Sequence, residues 1–290
     1  MLRRLGLRSC QLRLRRLLPA VVILSLVSFV LPGVGASAPA HWAEQALSEA
    51  ALRGIVLGYP DGSVQPDRAV TRAEICTMII RMLGEEDAAK TGRRFPSSFR
   101  DVDENYWGKG YLEVAREKGI FRGDSGDLAA PGRGVTRAEA VTMLDRCVVA
   151  LGVPLENVGS GGLADAQQIP SWARESVNRL AAAGVVLGDV DGRFYPERGL
   201  TRAEAATLTL RVLGVVGRRW DIIGRFGGLS TDNTRIYIEA QGQSLSVPIR
   251  LEELEVFNSE TRTTILDIKQ SAEVALVLES GQARLLALIR

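Results

Sequence analysis

The 290-residue chain has one histidine, His41, three cysteines, and only four lysines (Lys90, Lys109, Lys118 and Lys269). One histidine excludes a histidine-based catalytic triad and a multi-histidine metal site. Cys10, Cys76 and Cys147 are too few and too scattered for a zinc knuckle or a disulfide framework. Cys76 and Cys147 each lie in an apolar helical stretch, where a free thiol acts as a small hydrophobe, and that reading is preferred to a bond between them. There is no glycine-rich phosphate loop and no convergent acid-base set. The sequence therefore points to no enzyme, no cofactor and no metal.

Acidic residues are missing from one place. The first sixteen residues hold six arginines and no acid. Setting those six aside leaves 30 of the 36 basic residues against 34 acidic ones, which turns a net +2 into −4. A body of that sign is a poor nucleic-acid binder, so no nucleic-acid partner is expected. Leu17–Leu31 follows without a charge, and small residues run from Gly33 to Ala38. This order is that of a secretory leader, assigned to residues 1–38, with Val34-Gly35-Ala36 and Ala38-Pro39-Ala40 as small-x-small cleavage sites. The apolar run falls short of the ~20 residues a membrane span needs, which favours cleavage over a retained anchor.

What is present is a repeat. TRAE occurs at Thr71, Thr136 and Thr201, 65 residues apart. The same period relates Trp42, Trp107 and Trp172; Gly54, Gly119 and Gly184; Gly58, Gly123 and Gly188; Pro66, Pro131 and Pro196; Arg68, Arg133 and Arg198; and Arg81, Arg146 and Arg211. Each copy reads as helix, loop, helix. The tryptophan opens the first helix, and the glycine at 54, 119 or 184 ends it as a left-handed C′ residue. The loop carries turn signals at Asp61-Gly62 and Asp191-Gly192, whereas copy two has Gly123-Asp124-Ser125-Gly126-Asp127 instead. TRAE then makes a capping box, threonine at N-cap and glutamate at N3, and an apolar helix follows. One helical hairpin cannot bury its apolar face alone, so three copies are expected to share one core with approximate threefold symmetry.

These residues make the chain resemble the S-layer homology (SLH) motifs of bacterial surface proteins, over about Pro39 to Val215. Copy two also has the family's F-x-D-V opening at Phe99–Val102, copy three has a weaker form at Leu163-Ala164-Asp165, and copy one lacks it. The resemblance implies a three-pronged helical domain whose grooves bind secondary cell-wall polysaccharide, commonly bearing a pyruvate ketal. Carried over, the contacts are Arg72, Arg137 and Arg202; Trp42, Trp107 and Trp172; and Gly58, Gly123 and Gly188. The arginines stand in the first turn of a helix, where free amides and the dipole attract an anion. Each could instead pair with a nearby acid. The tryptophans serve either as sugar platforms or as core residues. The glycines serve the turn first.

After Gly217 the texture becomes alternating, as in Arg235–Glu239, Ser244–Ile249, Val274–Leu278 and Arg284–Ile289, with turns at Gln241–Gln243 and Glu279–Gln282. A small β-barrel or meander of about five strands is expected. The fold class is thus a mainly α domain of three helix-loop-helix repeats, a pseudo-threefold SLH-type bundle, followed by a small all-β domain. The boundaries read 1–38 leader, 39–95, 96–158 and 159–217 for the three motifs, and 218–290 for the β domain. The implied function is non-covalent anchoring of a secreted protein at the cell surface, through secondary wall polysaccharide or a peptidoglycan-linked glycan. The β domain would self-associate or dock a surface partner. The rivals are an envelope or sporulation assembly factor that binds protein, and an accessory to a surface hydrolase.

Overall fold

A computed structural model describes residues 41–155, 162–258 and 261–289. The leader assigned to 1–38, and Cys10 within it, lie outside the described residues.

Each copy contributes two principal helices: α1 (Glu44–Leu52) and α2 (Arg72–Met82), then, after the short α3 (Glu86–Gly92), α4 (Lys109–Glu117) and α5 (Arg137–Ala150), and last α6 (Ser171–Ala182) and α7 (Arg202–Val215). The local signals act as expected. Gly54, Gly119 and Gly184 end the first helices with φ of +67°, +70° and +72°. Thr71, Thr136 and Thr201 each accept from the N3 amide while the N3 glutamate accepts from the threonine amide. The helix α3 was not foreseen. It follows copy one only among the described residues and packs on α4 through Gly110, where an added Cβ would lie 1.9 Å from the Ala89 carbonyl oxygen.

The three copies are locked by backbone. Val70, Val135 and Leu200, each fully buried, stand two residues before the first residue of α2, α5 and α7. The Val70 amide donates to Leu200, Leu200 to Val135, and Val135 to Val70, a closed ring of three bonds of 2.8–3.0 Å. One hydrophobic core runs through all three copies, from Ala43 to Leu213. Cys76 and Cys147 are free and buried within it. Burial pushes both thiols up, Cys147 to about 12, so neither is a nucleophile at neutral pH.

Beyond Gly217 the chain forms β1 (Ile222–Leu229), β2 (Arg235–Ala240), β3 (Gln243–Pro248), β4 (Glu255–Asn258), β5 (Thr261–Thr263), β6 (Glu273–Glu279) and β7 (Gln282–Leu288). The sheet order is β3-β2-β1-β6-β7-β4-β5. About five strands were expected, and seven are present among the described residues: the runs read from alternation are β2, β3, β6 and β7, whereas β1 carries Gly224, Gly227 and Gly228 and does not alternate, and β4 and β5, of four and three residues, are too short to show it. The order also excludes a plain meander, since β4 lies parallel to β7. The sheet curls until Ile249, just past β3, bridges Ala283 of β7 in the manner of a barrel. Both expected hairpin turns are present. Gln241-Gly242 and Ser280-Gly281 each place two successive residues at positive φ, the requirement of a type I′ turn.

The β module sits on α1. Leu52 and Trp220 pack against Phe257, Val277, Leu285 and Ala287. Glu49 of α1, fully buried, accepts from both Arg219 and Arg53, and Glu44 accepts from Arg262 at 3.0 Å.

Candidate functional site

The helix starts are not the open anion sites that sequence position suggests. The amide of Arg72 donates to the Arg133 carbonyl and that of Ala73 to the Pro131 carbonyl. Arg137 and Ala138 reach Arg198 and Pro196 in the same way, and Arg202 and Ala203 reach Arg68 and Pro66. Thr71, Thr136 and Thr201 take the third amide of each turn. The expectation of free first-turn amides is corrected on this point: the next copy's P-x-R loop consumes them, which is how the copies interlock.

The arginine side chains are buried as well, at 4% exposure for Arg72, 8% for Arg137 and 6% for Arg202. Each crosses to the following copy. Arg72 donates to Asp124 at 2.9 Å and to Glu139 at 3.4 Å. Arg137 donates to the Phe194 carbonyl and to Glu204, and Arg202 donates to the Val64 and Leu57 carbonyls. All three stack on an aromatic ring, Phe121, Phe194 or Tyr59, at 4.6–5.3 Å. They brace the joints, and Arg72 and Arg137 also line the spaces between copies.

The tryptophans are not core residues. Trp42, Trp107 and Trp172 are 50%, 48% and 55% exposed. Trp172 lines a groove of about 310 Å³ with Arg72, Gly123, Asp124, Glu139 and Arg146. Trp42 lines a second, of about 450 Å³, with Arg137, Gly188, Asp189, Glu204 and Arg211. The two grooves are threefold equivalents. Each takes the helix-start arginine of one copy, the glycine and late-helix arginine of the next, and the tryptophan of the third.

The glycines let the loop close. At Gly123, φ is +71° and an added Cβ would lie 2.6 Å from the Leu128 carbonyl oxygen; at Gly188 it would lie 2.7 Å from the Gly192 carbonyl carbon. Gly58 is looser, with nothing nearer than 3.5 Å. The third combination of residues, Arg202, Gly58, Arg81 and Trp107, is built differently. Arg81 stacks on Tyr111 at 5.3 Å, donates to its hydroxyl, and pairs with Glu86 of α3. Its equivalents Arg146 and Arg211 instead donate to the Ile120 and Val185 carbonyls.

The buried Nε of Arg72 has no hydrogen-bond partner. Burial, with the neighbouring charge of Arg122, lowers the proton affinity of Arg146. Around these cations the TRAE glutamates hold the loops. Glu139 caps α5 and also accepts from Arg133, and Glu204 caps α7 and accepts from Arg198.

Sequence reasoning missed the work of the F-x-D-V aspartates. Asp101 accepts from the Ala129 and Ala130 amides at 2.7 and 2.6 Å, and Asp165 accepts from Phe194 and Tyr195 at 2.7 Å each. Ala130 and Tyr195 stand at φ of +44° and +55°, so each carboxylate clamps a left-handed residue in the loop that faces a groove. His41 accepts from the Ala43 amide and contacts Asp67.

The S-layer homology domain model matches residues 36–76, 98–141 and 163–206; the chain carries three such domains and over that span belongs to the S-layer homology family. Among curated proteins it is 34% identical over 174 residues to an amylopullulanase of Thermoanaerobacterium thermosulfurigenes, covering 60% of this chain and 9% of that protein. It is 28% identical over 157 residues to a cellulosome-anchoring protein of Acetivibrio thermocellus, covering 54% and 34%. It is 28% identical over 171 residues to S-layer protein EA1 of Bacillus anthracis, covering 57% and 18%. The chain thus spans about a third or less of the length of these relatives.

Proposed function

We propose that this chain anchors a secreted protein to the bacterial cell wall, and that the two grooves bind an anionic secondary wall polysaccharide through its pyruvate-ketal carboxylate. The observation that carries the reading is the twofold recurrence of one constellation, Arg72/Gly123/Arg146/Trp172 and Arg137/Gly188/Arg211/Trp42, each assembled from three copies. A ketal carboxylate meets the Arg146 guanidinium and the edge of Arg72 that lines the groove, and the exposed indole takes a sugar face. Each groove needs all three copies, which supplies a reason for the repeat. Two weak sites on one polymer combine through effective concentration.

In this reading residues 1–38 export the chain, the motifs at 39–95, 96–158 and 159–217 hold the wall, and 218–290 is presented outward. The chemistry of the grooves is binding and not catalysis. The third set, with Arg81 engaged by Tyr111 and Glu86, contributes to the fold. The names of the S-layer and cellulosome-anchoring relatives accord with a place at the cell surface.

The test is co-sedimentation of the chain with wall sacculi of its own organism, half of them stripped of secondary polysaccharide by acid. Binding lost on stripping is the expected result. Equal binding to both preparations would refute the polysaccharide reading in favour of bare peptidoglycan. Binding to neither would favour a protein partner.

A further inference from the structure

The second groove does not end at Trp42. A cavity of about 120 Å³ adjoins it, sharing Trp42, Thr207 and Arg211 and continuing to Gln45, Leu210 and Arg219. We propose that this extension is a second anion subsite, formed where the β module meets α1, and that it takes the carboxylate of the neighbouring repeat unit of the same wall polymer. The inference rests on the groove reading above and on the ketal carboxylate recurring from one repeat unit of the polymer to the next.

Arg219 supplies the charge. Its Nε and Nη2 donate to Glu49 and its guanidinium stacks on Trp220 at 4.6 Å, while its Nη1 makes no hydrogen bond among the described residues. Arg53 also bonds Glu49, so two guanidinium groups share one carboxylate. The three groups together carry a net positive charge, and of the two guanidinium groups Arg219 lines the cavity. A cavity of this size suits one small acidic substituent and not a further large chain.

The equivalent place behind the first groove is open but acidic: a cavity there is lined by Asp145, Pro154 and Arg179, and has no counterpart of the Arg219 guanidinium. The 65-residue register sets Asp145 where the second groove has Leu210, and Glu175 and Ser176 where it has Gln45 and Ala46. There Asp145 accepts from Ser176 and Arg179, and Arg179 also holds Glu175. The two grooves are therefore unequal: the first reads one unit of the polymer, and the second reads two.

The experiment is isothermal titration of the full chain with wall-polysaccharide fragments of one and two repeat units, on an Arg146→Gln background that removes the first groove. The two-unit fragment is expected to bind at least tenfold tighter than the one-unit fragment, beyond the factor of two that two equivalent ends give. Gln45→Glu, which installs the residue of the first groove without touching Glu49 or Arg219, should cut that advantage to about twofold and leave one-unit binding unchanged. Arg219→Gln should do the same, with circular dichroism checking that the β module stays folded. Equal binding of both fragments, or a Gln45→Glu variant that keeps the advantage, would overturn the subsite while leaving the groove reading in place. Failure of the parent to bind either fragment would overturn both.

Discussion

Replacing Asp165 by alanine should destabilise the protein and spoil the second groove together. Asp165 is buried, and its two oxygens each accept a backbone amide at 2.7 Å, from Phe194 and Tyr195. Hydrogen bonds to a charged group contribute about 1.5–3 kcal/mol each, and a buried donor left without its acceptor costs about 1–3 kcal/mol. Phe194 is fully buried, so water does not easily replace the carboxylate there. Tyr195 also loses the clamp that holds it at φ +55°, a conformation costing on the order of 1 kcal/mol for a non-glycine residue. The two bonds sum to about 3–6 kcal/mol, or roughly 6–24 °C in melting temperature for a domain of this size. The damage is directional. The Phe194 carbonyl accepts Arg137 Nε, and Arg137 and Gly188 line the second groove, whereas the first groove depends on Asp101. Chemical denaturation gives the magnitude, and amide exchange at Phe194 and Tyr195 gives the place. A change under about 0.5 kcal/mol, with both amides still protected, would refute the clamp.

Three further outcomes follow from the same geometry. Thr136→Ala removes one half of the α5 capping box and should cost about 1 kcal/mol by denaturant unfolding, as N-cap truncations do. Iodoacetamide should leave Cys76 and Cys147 unlabelled in the native protein and label both after denaturation, because both thiols are buried and pushed up; mass spectrometry reads the difference. Burial raises the Glu139 carboxyl, but hydrogen bonds from Arg133 and Thr136 and the charges of Arg133 and Arg72 outweigh it and hold it below its ordinary value. The stability it lends is complete above the usual carboxylate value of about 4.3 and is lost as pH falls through its lower folded value. Unfolding free energies measured from pH 6 to pH 2 should therefore fall with acidification less steeply in Glu139→Gln than in the parent.

The helices were legible because their signals are local. A threonine, a glutamate three residues on and a closing glycine sit within one turn of the groups they satisfy, and the capping boxes and left-handed C′ residues follow. What joins the copies was not legible. The amide of Arg72 meets a carbonyl 61 residues away, at Arg133, and no spacing rule reports that. Position alone made the helix starts look like anion sites, and only the neighbouring loop shows that the amides are spent. The tryptophans were ambiguous for a different reason: an indole ring suits a core and a platform equally, and exposure decides. In copy one, α3 and Tyr111 change the setting of Arg81, although the loop of copy two departs further from the shared pattern in sequence. In the β module, alternation marked β2, β3, β6 and β7; the glycine-rich β1 does not alternate, and β4 and β5 are too short to show a period, β4 taking its place from β7 and β5 from β4.

The most direct test of the account is wall binding by tryptophan variants, since all three indoles are half exposed and their loss should leave the fold intact. Sacculi of the producing organism, carrying their secondary polysaccharide, should bind the Trp42→Ala/Trp172→Ala double variant at least tenfold more weakly than the parent. They should bind Trp107→Ala as well as the parent. A double variant that still binds fully, or a Trp107→Ala variant that loses as much, would contradict the assignment of the two grooves.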